Sequence, residues 1–212
     1  DGMLEGPLYI PASTSGPAIQ YHILEHSVLL DSSNMTMDDW RQIGAELECW
    51  YDRFDGFVVI HGTDTLAYTA AALSFMLEGL GKPVVLTGSQ IPFSELRSDA
   101  TDNLLGALLV AAHFPGIHEV VVYFANKLFR GNRISKVSND SCHAFDSLNY
   151  PPIGEAGVRF RVFENLLTRD TQRQTLLVHR HLDPNVGVIR VFPGMSAEAF
   201  AIMLAPPIRG VV

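Results

Sequence analysis

An α/β fold organised around a parallel sheet is predicted by three features of the sequence. Short, β-branched apolar runs (DGFVVIH from Asp55 to His61, PVVLTG from Pro83 to Gly88, EVVVYF from Glu119 to Phe124) are separated by Ala- and Leu-rich segments with few charges. The runs are apolar throughout rather than at every second residue, the pattern of strands covered on both faces by crossover helices. The order strand, helix, strand then repeats, and repeated βαβ units imply parallel pairing and right-handed connections.

The opening stretch through PASTSGPA is rich in Pro, Ser and Gly and reads as loop. Residues 20–30 (QYHILEHSVLL) read as a strand that becomes more buried towards its end. After the polar turn DSSN, Thr36 and Asp39 are spaced for a capping box. Trp40, Ile43, Leu47 and Trp50 then recur at helical spacing as far as Tyr51, with both tryptophans in the core stripe. The strand ending at His61 leads into a mostly buried helix from Thr65 to Leu80, closed by Gly81. A second buried helix is expected from Ser98 to His113. It holds the longest apolar run, Leu104 to Ala112, which is too short to span a bilayer. Past residue 150, YPPIGEAG reads as loop, TLLVHRH and VGVIRVF as strands, and Ser196 to Leu204 as a short helix. The strand-like IRGVV at the end is an unusual terminus, so the natural protein is expected to continue.

A chain of 212 residues suits one domain with part of a second. Fifteen basic residues against 23 acidic ones give a net charge of −8, which disfavours nucleic acid as a partner. Cys49 and Cys142 lie far apart, outside any CxxC pair, and fit a reducing compartment as small buried residues. The start, DGMLEGPLYIP, has no basic segment followed by an apolar one, so no secretory leader is read there. A cytoplasmic protein with no membrane association is the expectation.

Ligands of open parallel sheets bind beyond the carboxyl ends of the strands. Three polar loops fall there: Asp31-Ser32-Ser33-Asn34, His61-Gly62-Thr63-Asp64-Thr65 and Gly88-Ser89-Gln90. Together they suit a small polar ligand. Gly62 permits close backbone approach, Thr63 supplies a hydroxyl, and amides at the following helix start can steady a carboxylate or oxyanion. Asp64 is equally readable as a helix cap or as a catalytic group. Lys136, inside LFRGNRISK, is a base if Arg130 and Arg133 depress its pKa, and otherwise part of a basic surface loop. His179 and His181 share a strand face but have no further ligand at metal-site spacing, so no metal is expected. Walker, GxGxxG, GxSxG and HExxH motifs are absent.

DSSNMT, VVIHGTDTLAYTAAALSFMLE, KPVVLTGSQIPFSELRSD and LFRGNRISK resemble the bacterial-type L-asparaginases, nearest to the cytoplasmic type I branch and its eukaryotic relatives. The resemblance covers most of residues 20–160. It implies a Rossmann-like three-layer N-terminal domain over residues 1–190 and the start of a linker and C-terminal domain over 191–212. It implies hydrolysis of L-asparagine to aspartate and ammonia by threonine-based covalent catalysis, without cofactor or metal, in a homodimer or homotetramer. Thr63 matches the second active-site threonine, which positions or activates water, with Asp64 and Lys136 as its triad partners and Lys136 as base. Asp31, Ser32, Thr63, Asp64 and Ser89 match substrate-binding positions, Asp31 and Ser32 holding the α-amino and α-carboxylate groups. The family's first threonine, in a TGGTIGM motif, has no counterpart here. Gly2-Met3 matches only the tail of that motif, and the resemblance implies that the first strand and the nucleophile belong to a longer chain.

Two other readings follow from the same residues. An asparaginase-like amidotransferase subunit would share HGTDT and deliver ammonia to a tRNA-bound substrate, against which the acidic charge argues. A non-catalytic module would bind asparagine or aspartate without turnover.

Overall fold

The computed structural model describes residues 7–14, 16–26, 29–168 and 175–212. Gly2-Met3 and part of the 20–30 segment therefore lie outside the described residues. By contacts the chain divides into two units, Asp1–His179 and Arg180–Val212.

The first unit opens with a hairpin in place of the expected loop: β1 (Leu8–Ile10) pairs antiparallel with β2 (Ile19–Tyr21), Tyr9 opposite Gln20. The strand expected over residues 20–30 is confined to the three residues of β2. Leu29 and Leu30, expected to be the most buried, are exposed. An apolar run becomes a strand only where a neighbour takes up its backbone groups. A 3-10 turn spans Ser32–Asn34, and α1 (Met37–Trp50) follows, opened by the capping box between Thr36 and Asp39. Ile43, Gly44 and Leu47 form its buried side. Cys49 lies on the opposite, exposed side and Cys142 is half-exposed, so neither is the buried residue expected; both are free thiols.

β3 (Phe57–Ile60), α2 (Leu66–Met76), β4 (Leu77–Glu78), β5 (Val84–Thr87), α3 (Ala100–His113), β6 (Val120–Phe124) and β7 (Lys127–Arg130) come next. β8 (Ser135–Lys136) pairs antiparallel with β9 (Phe145–Asp146), and β10 (Gly154–Ala156) with β11 (Phe160–Val162). The central sheet runs in the order β11-β10-β7-β6-β5-β3. β3, β5 and β6 are parallel, as their uniformly apolar sequences imply, and β5 and β6 are buried at every position. The other half is antiparallel, which corrects the all-parallel expectation. The cause is the two-residue turn Ala125-Asn126, both at positive φ (47° and 64°), which folds β7 straight back onto β6. YPPIGEAG, expected as loop, supplies β10 at the next position.

One face of the sheet buries Val85, Val121 and Tyr123 against Ala107, Val110 and Ala111 of α3. Alternate residues of the same strands (Val84, Leu86, Val120, Val122, Phe124) point to the other face, and they too are buried. α2 packs on β5 and β6 and covers them. Spatial order β3, β5, β6 with α2 and α3 on opposite faces means that the two crossovers differ in hand. One is left-handed, against the expectation from chirality. At about 1.5–3 kcal/mol for each fully buried Val or Leu, this two-sided core outweighs any single polar contact in the loops.

α2 ends at Met76, short of the predicted Leu80. Leu77 and Glu78 instead form β4 and pair with β12 (Leu177–Val178), and Gly79 at φ 71° turns the chain away. In the second unit, β13 (Val186–Gly187) pairs parallel with β14 (Gly210–Val211), and α4 (Ala197–Met203) is capped by Ser196.

Candidate active site

β3 and β5 end side by side, and the loops that follow them, His61–Thr65 and Gly88–Ile91, sit against each other. The His61 N–H donates to the Thr87 carbonyl at 2.8 Å. A Cβ on Gly88 would stand 2.2 Å from the His61 carbonyl oxygen, so only glycine lets the two loops meet.

Into this corner β8 brings Lys136. Its Nζ donates to Thr63 Oγ1 at 2.8 Å and to Asp64 Oδ1 at 2.6 Å. An ammonium has no acceptor, so the hydrogen of the Thr63 hydroxyl is left for Gln90 Oε1, which accepts it at 2.8 Å. The Lys136 side chain is 14% exposed but that of Asp64 is 62% exposed. Such a half-open ion pair contributes at most about 1 kcal/mol to stability, so its importance is positional. The structure also settles what Asp64 bonds to. The N-cap of α2 is Thr65, no side chain caps that end, and the Asp64 carboxylate is engaged by Lys136. The cluster thus offers an amine, a hydroxyl and a carboxylate in contact, the set needed to move a proton beside a nucleophilic oxygen.

Asp31 and Ser32 join the same corner. Thr65 Oγ1 donates to the Ser32 carbonyl at 2.7 Å, and a Cβ on Gly62 would lie 2.6 Å from Ser32 Oγ. Asp31 caps the Ser32–Asn34 turn, accepting at 2.9 Å from both the backbone N–H and the hydroxyl of Ser33. These two donors hold its exposed carboxyl below the usual carboxylate range. Ser32 is buried and Asp31 exposed, a donor and a carboxylate adjacent at the lip of the corner. Ser89 is half-buried in the Gly88–Ile91 loop and makes no side-chain hydrogen bond to described residues.

LFRGNRISK is not the surface loop considered above: Leu128, Phe129, Gly131 and Ile134 are buried. Arg130 does not act on Lys136 either. Its guanidinium pairs with Glu119 at 2.6 Å, donates to the Leu166 carbonyl at 2.7 Å and stacks over Tyr150. Arg133 also faces the Tyr150 ring.

Several organising residues have no motif of their own. Asp99 accepts the backbone N–H groups of Gln90 (3.1 Å) and Ile91 (3.0 Å) and the Asn103 side-chain amide (3.1 Å). Asn103 in turn donates to the Gly88 carbonyl at 2.9 Å and accepts the Ala125 N–H at 3.0 Å. The only sequence signal is the i,i+4 spacing of Asp99 and Asn103 at the start of a helix. Among the described residues no three His, Cys, Asp or Glu side chains cluster as metal ligands would, and no helix is long and apolar enough to cross a membrane.

Residues 9–168 match the asparaginase N-terminal family. An L-asparaginase of Dirofilaria immitis is 50% identical over 202 residues, 95% of this chain and 34% of that protein. L-asparaginase 1 of Escherichia coli K12 is 48% identical over 192 residues, covering 91% of this chain and 56% of its own length. The crystal structure of L-asparaginase I from Vibrio cholerae superposes with a TM-score of 0.81 at 47% identity, over 86% of this chain and 56% of that one. The chain thus spans between a third and somewhat more than half of these relatives. The family match over most of the chain and the superposition on a solved asparaginase give one conclusion: this chain belongs to the asparaginase family, residues 9–168 matching its N-terminal domain.

Proposed function

We propose that the protein hydrolyses the side-chain amide of L-asparagine to aspartate and ammonia. The observation that carries this reading is the contact of Lys136 Nζ with both Thr63 Oγ1 and Asp64 Oδ1. In the reaction a threonine oxygen attacks the amide carbon, the C–N bond breaks and ammonia leaves. Water then attacks the resulting ester, releasing aspartate and restoring the hydroxyl. The 212 residues contain no TGGTIG motif, so the attacking hydroxyl is not assigned within them. Thr63 takes the role of the second threonine, holding water and passing its proton. Lys136, in its neutral form, takes the proton of the attacking hydroxyl and gives it to the departing nitrogen. In the second step it takes the water proton passed by Thr63 and gives it to the threonine oxygen released from the ester, and Asp64 holds the ammonium in between. Asp31 binds the substrate ammonium, Ser32 and the free amides near Thr63 bind the carboxylate, and Ser89 lies against the side-chain amide. We further propose a cytoplasmic homo-oligomer, in keeping with the unpaired cysteines and the type I resemblance.

The test is ammonia release from L-asparagine by the unaltered protein and by Thr63→Ala. Turnover lost in the variant, with aspartate still raising the Tm of both, supports the reading. Stabilisation by asparagine without turnover in the unaltered protein would replace it by the binding-module reading.

A further inference from the structure

His61 is buried (8% exposed), yet it does not touch Lys136, Asp64 or the Thr63 hydroxyl, and the chemistry above makes no use of it. Its ring bridges two fixed points. Nδ1 lies 2.6 Å from the Gly62 carbonyl oxygen, and Nε2 lies 2.8 Å from Oγ1 of Thr69, a fully buried residue of α2. Thr69 Oγ1 also accepts the indole N–H of Trp40, on α1, at 2.9 Å.

Donor and acceptor chemistry gives this chain one direction. A carbonyl oxygen only accepts, so Nδ1 carries the ring hydrogen. An indole N–H only donates, so Thr69 accepts from Trp40 and has its own hydrogen to give to a bare Nε2. The neutral Nδ1–H ring therefore satisfies every group: Trp40 N–H to Thr69, Thr69 O–H to His61, His61 N–H to Gly62. A ring protonated at both nitrogens would leave the Thr69 hydrogen only Met35 Sδ, 3.9 Å away. Burial acts in the same sense, holding the His61 pKa below the ordinary imidazole range.

Gly62 makes this bridge consequential. Glycine has no Cβ to restrict its backbone, so sterics alone do not fix where its carbonyl points. The Gly62–Thr63 peptide is planar, with C=O and N–H on opposite sides. Anchoring the carbonyl to a buried ring turns the Thr63 N–H away from His61, and that N–H has no acceptor among the described residues. The same plane sets the starting direction of the Thr63 side chain towards Lys136 and Gln90. We propose that His61 is a positioning residue, which transmits the α1–α2 packing at Trp40 and Thr69 to the Gly62–Thr63 peptide and holds Thr63 in its working geometry. The kinetic part of this proposal rests on the asparaginase reading; the hydrogen-bond chain does not.

The experiment compares His61→Leu, His61→Asn, Thr69→Val and Trp40→Phe with the unaltered full chain. Asparagine places an N–H donor close to the position of Nδ1, so it restores the bond to Gly62 without the link to Thr69. We expect kcat for L-asparagine to fall about tenfold in His61→Leu, less in Thr69→Val and Trp40→Phe, with KM within about twofold, and to recover largely in His61→Asn. Nitrogen-15 spectra of the unaltered protein at neutral pH should show a neutral His61 ring protonated at Nδ1. The Thr63 amide resonance should move in His61→Leu and return in His61→Asn. A ring protonated at Nε2 would overturn the proposal. So would equal kcat and equal Thr63 amide positions in the leucine and asparagine variants, even if both had lost stability. If the unaltered full-length protein releases no ammonia, the asparaginase reading fails by itself, and the ring tautomer and Thr63 amide still decide the positioning role.

Discussion

Lys136 Nζ stands 2.8 Å from Thr63 Oγ1 although 73 residues separate them in the chain. The contact is made by two different parts of the sheet system. Thr63 follows the edge of the parallel half, whereas Lys136 sits on the small β8–β9 pair beyond the antiparallel return of β7. The corner that holds Thr63, Asp64 and Lys136 therefore depends on the Ala125-Asn126 turn and on the buried Leu128 and Phe129 that carry the chain back.

Gly62→Ala tests whether the Asp31–Ser32 turn must lie against the His61–Thr65 loop. The added Cβ would sit 2.6 Å from Ser32 Oγ, too close to be accommodated without movement. The expected outcome is a weaker site, with KM for asparagine raised and a stability loss of about 1–3 kcal/mol. Steady-state kinetics and thermal unfolding read the two effects.

Asp99→Asn tests the anchoring of the Gly88–Ile91 loop. The carboxylate accepts N–H donors from Gln90, Ile91 and Asn103, and a neutral amide cannot replace all of them. Urea unfolding is expected to show a loss of about 1.5–3 kcal/mol, the range for hydrogen bonds to a charged group.

These two residues also mark how far the sequence was legible. The parallel core, both long helices and the capping box were readable because continuous apolar runs and Thr36-x-x-Asp39 are local signals. The antiparallel half was not: Lys127–Arg130 and Gly154–Ala156 become strands only because a turn and a neighbour place them against β6. The rim residues followed from strand ends, and Thr63 with Asp64 and Lys136 from their motifs. Gln90 stood in the rim loop, but its bond to Thr63 has no local cue. Asp99 was missed because an acid before a helix looks like any cap. The exposure of Cys49 likewise depends on which side of α1 faces Leu47, a matter of packing rather than residue type.

Asp31 supplies a pH prediction. Its folded pKa is depressed, chiefly by the backbone N–H of Ser33 and then by the Ser33 hydroxyl. A depressed carboxylate favours folding above its unfolded pKa, and that contribution is lost as pH falls through the folded value. Removing one donor in Ser33→Ala should move the Asp31 carboxyl back up towards the ordinary range. Carbon-detected NMR titration of the two proteins measures the shift, and an unchanged titration would show that Ser33 does not set it.

The central claim, that Lys136 is the proton carrier for chemistry at Thr63, is tested most directly by kcat of Lys136→Met with L-asparagine. Methionine keeps the length and apolar stem of the side chain but can neither take nor give a proton. Loss of general acid–base catalysis predicts a fall in kcat of about 10²–10⁴-fold with aspartate binding retained. A variant that turns over asparagine at the rate of the unaltered protein would contradict the account.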